Sequence, residues 1–100
     1  MVYDHEDVLD LVFHALSDRT RRDILKRLAL EDMAISQLSS TYDMTLAAVS
    51  KHVKVLEKAG LVTTSKQGRV HRCVMRFEPL EAASAQIAFY ARFWLDEMTQ

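Results

Sequence analysis

The sequence predicts a mainly α-helical protein with one small β-hairpin, and the spacing of its apolar residues is the main reason. Apolar residues recur every three to four positions in four successive segments before residue 60, which is typical of amphipathic helices. The period changes to two between residues 61 and 77, as in β-strands, and helical spacing returns after Pro79. Two glycines and one proline in 100 residues suit a single helical domain, which we expect to span residues 1–100.

The first two helices are marked by acidic capping residues. Residues 4–16 place Val8, Val12 and Leu16 on one stripe, and the acids near residue 4 favour a helix N-terminus there. Asp18 follows this helix, and its carboxylate can accept hydrogen bonds from the first amides of a second helix. The apolar residues of that helix expected to face inward are Ile24, Leu25 and Leu28. The basic residues expected to lie mostly outward are Arg19, Arg21, Arg22, Lys26 and Arg27.

The third and fourth helices are separated by a tight turn. The third covers residues 35–42, and the fourth begins after Thr45, whose hydroxyl can cap it. It ends before Gly60, which suits a left-handed C-terminal stop. The residues of the fourth helix expected to point inward are Val49, Val53 and Leu56. A helix, a tight turn and a basic second helix form the helix-turn-helix pattern of DNA-binding proteins.

The hairpin is predicted from two β-favouring segments joined by a turn. The strands cover residues 61–65 and 70–77, and the turn between them contains Gly68. A hairpin with a basic tip beside a helix-turn-helix is a wing. Lys66 and Arg69 at this tip either reach a phosphate or a minor groove, or form no more than a polar hairpin tip.

The last helix is apolar on more than the side that faces its own core. Pro79 suits its first position, and the helix is expected to run to Met98. A second apolar side needs a second surface to cover it, so we expect a homodimer interface formed with the first helix. The expected interface residues are Val8, Val12, Ile87, Ala91, Trp94, Leu95 and Met98. A pocket for a hydrophobic effector between the terminal helices is the alternative, and it does not exclude the dimer.

The predicted element order is therefore α-α-α-α-β-β-α, a winged helix-turn-helix that dimerises through its first and last helices. Its net charge of −1 conceals a strong asymmetry. Residues 45–76 carry seven Lys or Arg against Glu57 alone, whereas residues 1–18 carry five acids and no Lys or Arg. Because phosphate contacts supply most sequence-independent DNA affinity, this local positive charge favours double-stranded DNA as the partner. A solvated basic face is the alternative.

Two long runs resemble the ArsR-type winged-helix repressors. They are ALSDRTRRDIL at residues 15–25 and VSKHVKVLEKAGLV at residues 49–62, and Gly68-Arg69 in the wing adds to the match. The resemblance implies a dimeric bacterial transcription regulator, usually a repressor that an effector releases from its operator. The groove-facing residues that it implies are Thr45, Ala47, Ala48, Ser50 and Lys51, with Lys54 as a phosphate contact. Ala47 departs from the proline often found at that position of the family.

No cofactor, metal site or enzymatic activity is expected. Metal-sensing members of the family carry Cys-Val-Cys in the third helix or acid and histidine ligands in the last one. Here residues 34–38 read AISQL, and the last helix contains no histidine. Ser50, Lys51 and His52 are consecutive, so they point in different directions and do not form a nucleophile and base pair locally.

Cys73, the single cysteine, leaves a redox interpretation open. It shares a strand face with His71, which would favour a thiolate and a redox switch. Packing beside Met75 as a small buried hydrophobe is the favoured interpretation. A hydrophobic molecule or a redox-active effector is therefore a possible further partner, besides DNA and a second copy of the chain.

Two classes of function remain to be separated. The first is a repressor of the cytoplasm with no membrane partner, since the sequence has no signal peptide or membrane-length apolar run. The second is a protein-interaction module that has lost DNA binding and recruits a partner through its terminal helices. The basic segment 45–76 favours the first, because an interaction-only domain has no reason to keep it.

Overall fold

The computed structural model describes residues 4–99, which form five α-helices and one three-stranded antiparallel sheet. The helices are α1 (His5–Leu16), α2 (Arg19–Leu30), α3 (Ile35–Ser40), α4 (Leu46–Lys58) and α5 (Pro79–Met98). The strands are β1 (Met33–Ala34), β2 (Val62–Gln67) and β3 (Val70–Met75). The predicted order of helices and hairpin is confirmed, and one short strand, β1, is added before α3. Residues 1–3 and 100 of the expected domain lie outside the described residues.

The helix ends follow the predicted capping residues. The Asp18 carboxylate accepts a hydrogen bond from the Arg21 backbone N–H at 3.0 Å, and the Thr45 hydroxyl accepts one from the Ala48 N–H at 3.1 Å. Gly60 follows α4 with φ +76°, a left-handed conformation that glycine adopts without a Cβ clash. The start of α2 and both ends of α4 are therefore determined locally.

Strand β1 connects the helix-turn-helix to the wing. Its two residues pair with β3, Met33 opposite Cys73 and Ala34 opposite Arg72, so β3 is the central strand of the sheet. Because α3 begins at the next residue, Ile35, the first helix of the helix-turn-helix is linked through β1 to β3 of the wing. We expect this attachment to hold the wing and α4 in a fixed relation.

The hairpin differs from the prediction in its turn. Strand β2 continues to Gln67, which pairs with Val70, so the turn is reduced to Gly68 and Arg69. Gly68 has φ +64°, which suits a two-residue hairpin turn. Lys66 therefore lies on a strand, opposite His71, and not in the turn as predicted.

One hydrophobic core joins the first four helices to the sheet. Its fully buried side chains include Ile24 of α2, Leu38 of α3, Leu56 of α4 and Val62 of β2. Val12 of α1 belongs to this core with 0% of its surface exposed, so the prediction that it contacts a second protomer is wrong. An apolar stripe has the same sequence pattern whether it faces its own core or a partner, and here the core takes Val12.

Candidate nucleic-acid interface

Helix α4 presents a basic stripe on the side opposite its buried face. Val49, Val53 and Leu56 are buried, as predicted. Ala47, Lys51 and Lys54 are exposed and recur at intervals of four and three residues, which places them on one outward side. Thr45 is also exposed, at the N-cap, whereas Ala48 and Ser50 are half-buried and lie toward the two edges of the stripe.

The wing packs along one edge of α4. The Thr64 hydroxyl of β2 donates a hydrogen bond to the Glu57 carboxylate of α4 at 3.1 Å. A groove of about 500 Å³ runs between α3, α4 and the wing. Its lining residues are Ile35, Leu46, Ser50, Val53, Lys54, Glu57, Thr64 and His71. At the far end of the hairpin, Lys66 and Arg69 are both exposed, so the wing carries its cations outward.

The opposite edge of α4 packs against the start of α2 through His52. Its Nδ1 lies 3.4 Å from Arg21 Nη1 and 3.7 Å from Asp18 Oδ2. The hydrogen bond from the Arg21 backbone N–H lowers the pKa of the Asp18 carboxyl below its usual value, and the neighbouring charges of His52 and Arg21 also lower it. Asp18 is therefore an ionised carboxylate at neutral pH, and it faces the nearby cation and imidazole.

Arg21 is a further residue whose placement differs from the sequence prediction. It was expected to lie mostly outward, but only 9% of its surface is exposed. Its Nε donates to the Ala15 carbonyl at 2.8 Å and its Nη2 donates to the His14 carbonyl at 2.9 Å, so its charge is solvated by the C-terminal end of α1. The spacing of positions 21, 24, 25 and 28 would have revealed it, because Arg21 is in phase with the buried apolar residues of α2.

Much of α5 extends beyond the core of its own chain. Ala83 is its one buried residue, whereas Ile87 is 54% exposed and Trp94 is 62% exposed. The predicted interface residues Leu95 and Met98 are also exposed, and Ala91 is half-buried, as is Val8 on α1. Further large side chains, Phe89, Tyr90 and Phe93, form an edge-to-face aromatic cluster with ring centroids 5.2 and 5.8 Å apart. Exposed large apolar side chains that adjoin one another on one helix are typical of an interaction surface.

Cys73 lies inside the sheet and has no exposed surface. Burial, together with a smaller effect of the Glu57 carboxylate, raises the pKa of its thiol to about 11. The thiol is therefore protonated at neutral pH and out of reach of solvent, which is the packed arrangement favoured by the sequence and not that of a reactive cysteine.

Within residues 4–99, no three His, Cys, Asp or Glu side chains converge as a metal-ligand set. No helix in the same part of the chain is long and apolar enough to cross a membrane.

An exposed basic helix that follows a helix and a tight turn, with a basic hairpin along its edge, defines a winged helix-turn-helix DNA-binding protein. A family model described as "Helix-turn-helix domain" matches residues 16–65. The HTH-type transcriptional regulator Rv2034 of Mycobacterium tuberculosis is 36% identical over 90 residues, which is 90% of this chain and 81% of the relative.

Solved structures extend the match. The crystal structure of the ArsR family transcriptional regulator RHA00566 superimposes with a TM-score of 0.82 at 38% identity, covering 94% of this chain and 96% of that one. The homodimeric winged helix-turn-helix DNA-binding domain of Mb0332 from Mycobacterium bovis shares the fold with a TM-score of 0.71 at 22% identity, over 88% of this chain and 89% of that one. The chain belongs to the ArsR family of winged helix-turn-helix regulators. Its family and fold are those of DNA-binding transcriptional regulators.

Proposed function

We propose that this chain, as a single domain over residues 1–100, forms a dimeric repressor that binds a short, roughly palindromic operator in the cytoplasm. The observation that carries the proposal is the outward stripe of Ala47, Lys51 and Lys54 on α4. The opposite side of α4 is buried in the core, and one edge of the helix is hydrogen-bonded to the wing. DNA as the partner is also the reason to assign the cytoplasm.

Each predicted DNA-contacting residue has a role that suits its size and charge. Ala47 and Ala48 are small enough to allow the start of α4 to approach base edges closely. Thr45, Ser50 and Lys51 supply hydrogen-bonding groups for the groove, and Lys54 supplies charge for a phosphate. Lys66 and Arg69 extend from the wing and would contact the backbone or the minor groove beside the half-site.

The exposed surface of α5 supports dimerisation. The chain has a radius of gyration of 15.8 Å, whereas a compact chain of this length would have about 13 Å. Pairing α5 with a second copy would cover Ile87, Trp94 and their neighbours, and the homodimer of Mb0332 is built on the same fold. A two-fold pair would place two α4 helices in successive major grooves about one helical turn apart, which a single small module cannot do.

The proposal is tested by fluorescence anisotropy on duplexes from upstream of the chain's own gene, titrated at several salt concentrations with random DNA as competitor. We expect tight binding that resists the competitor and weakens steeply with salt. Lys51→Ala should weaken operator binding and change the preferred sequence, whereas Arg69→Glu should weaken binding on all sequences and flatten the salt dependence. Weak binding that is equal on every duplex would contradict the proposal and favour the protein-interaction module.

A further inference from the structure

Helix α2 carries a second basic surface that neither α4 nor the wing includes. Arg19, Arg22 and Lys26 are all exposed and follow one another at intervals of three and four residues, so they form one stripe along the helix. We call these three residues the α2 cationic stripe. The Arg22 guanidinium donates to the Leu16 carbonyl at 2.8 Å, which holds the side chain near the helix start. Within residues 4–99, Arg27 with Asp23 is the one salt bridge that joins an Arg or Lys to a carboxylate, so no member of the stripe forms one there.

The stripe borders a shallow cleft of about 410 Å³. Besides the stripe, the cleft is lined by Thr20, Asp23 and Tyr42. Asp23 is its one acid, and that carboxylate accepts hydrogen bonds from the Tyr42 hydroxyl at 2.5 Å and from Arg27 Nε at 2.9 Å. These two hydrogen bonds, Tyr42 first, lower the pKa of Asp23. Because the Asp23 carboxylate is hydrogen-bonded to Arg27 and Tyr42, it forms no salt bridge with the stripe. The three cations of the stripe can therefore bind an external anion.

The position of these cations works against helix stability. The first turn of α2 contains no acid, whereas the first turn of α1 contains Glu6 and Asp7. Acids are favourable at the positive N-terminal end of a helix dipole and cations are unfavourable there. The helix dipole therefore does not account for Arg19, and an anionic partner at this surface would.

The stripe lies on the edge of α4 that is away from the wing. Tyr42, which lines the cleft, is separated from the cap residue Thr45 only by the two residues of the helix-turn-helix turn. The start of α2 is also in contact with α4 through Asp18 and His52. The wing meets α4 through Glu57, which is on the other edge of the helix. Helix α4 therefore lies between two basic surfaces, the wing on one side and α2 on the other.

We propose that Arg19, Arg22 and Lys26 bind backbone phosphates of the DNA beside α4, on the side opposite the wing. This inference rests on the proposed function, because it assumes that α4 enters a major groove. A groove is bordered by a phosphate backbone on each side, and a protein that holds both sides fixes the orientation of its helix more firmly than one that holds a single side. In this arrangement the wing holds one strand and the α2 cationic stripe holds the other.

The test compares two variants that lose equal charge at different places. Arg19→Gln/Lys26→Gln removes two exposed cations from the stripe, and Arg92→Glu changes the charge by the same amount at one exposed position of α5, outside both the stripe and the basic segment 45–76. The probe is the duplex that wild-type protein selects most tightly from a random library. For a two-fold dimer, we expect the first variant to lower the slope of log K against log salt by about 2 to 4, since each lost phosphate contact contributes about 0.9. The control variant should keep the wild-type slope.

Ethylation interference on the same duplex locates the contacts. We expect to find phosphates at which ethylation weakens the binding of the wild-type protein. Ethylation at the same phosphates should not weaken the binding of Arg19→Gln/Lys26→Gln any further. It should still weaken the binding of Lys66→Ala, because that variant keeps the α2 cationic stripe. Specific wild-type binding with equal salt slopes for Arg19→Gln/Lys26→Gln and Arg92→Glu would overturn the inference alone. Wild-type binding no tighter on the selected duplex than on random DNA would overturn the proposed function, and the inference with it. Circular dichroism melting of Arg19→Gln/Lys26→Gln and of Arg92→Glu controls for folding.

Discussion

Arg21 shows how one buried cation can join three helices. It donates from α2 to two carbonyls at the end of α1, and its Nη1 also lies 3.4 Å from the His52 ring on α4. The carbonyls at a helix C-terminus have no partner in their own helix and carry partial negative charge, so they are a suitable site for a guanidinium. A planar group with several donors in fixed positions can satisfy all three neighbours at once, which a lysine cannot.

We expect Arg21→Met to lower the free energy of unfolding by about 2 to 3 kcal/mol, because it leaves two half-buried or buried carbonyl groups without their donors. Arg21→Lys should recover only part of the loss. The measurement is the urea midpoint at constant m-value. Lys26→Met on the exposed side of α2 is the matched control and should change stability by less than about 0.5 kcal/mol. Equal effects of the Arg21 and Lys26 variants would show that the Arg21 hydrogen bonds do not contribute.

At the scale of elements, the helix ends that the sequence predicts correctly are those determined by residues close to them in the chain. The caps at Asp18 and Thr45 and the stop at Gly60 depend on residues within one turn, so the start of α2 and both ends of α4 follow from the sequence. Strand β1 does not, because two residues cannot show a period of two and their pairing partners are 38 and 40 positions away, at Arg72 and Cys73. Register has the same limitation, which is why Lys66 was assigned to the turn and not to its pair with His71.

The cap of α4 offers a test at this scale. Thr45→Ala removes the hydroxyl that accepts from the Ala48 N–H at 3.1 Å, and we expect a loss of about 1 kcal/mol in unfolding free energy. The first turn of α4 also carries Ala47 and Ala48, so operator affinity should fall by more than the loss of one groove contact would explain. Thr45→Ser keeps the acceptor and should preserve both properties. Urea unfolding and anisotropy on the operator duplex measure them, and normal values for Thr45→Ala would mean that the cap does not order the start of α4.

At the scale of the whole molecule, charge and apolar surface are separated. The basic surfaces of α4, the wing and α2 adjoin the helix-turn-helix, whereas most of the exposed large apolar side chains of the described residues lie on α5. The sequence predicts this division because composition changes along the chain. It does not predict which apolar residues remain for a partner, since Val12 and Ile87 have the same chemistry and packing alone places Val12 in the core and Ile87 outside it.

Substitutions on α5 and in the core should therefore affect different properties of the protein. Trp94→Asp places a charge on the exposed apolar surface of α5, and we expect the dimer to dissociate in sedimentation equilibrium, because a buried unpaired carboxylate at an interface is strongly unfavourable. Operator affinity should fall with it, since two half-sites would then be bound independently. The matched variant Val12→Ala leaves a cavity in the core and should instead lower the unfolding free energy by about 2 kcal/mol while the protein stays dimeric. A Trp94→Asp protein that remains a stable dimer would place the interface on another surface and leave the apolar side of α5 for a different partner.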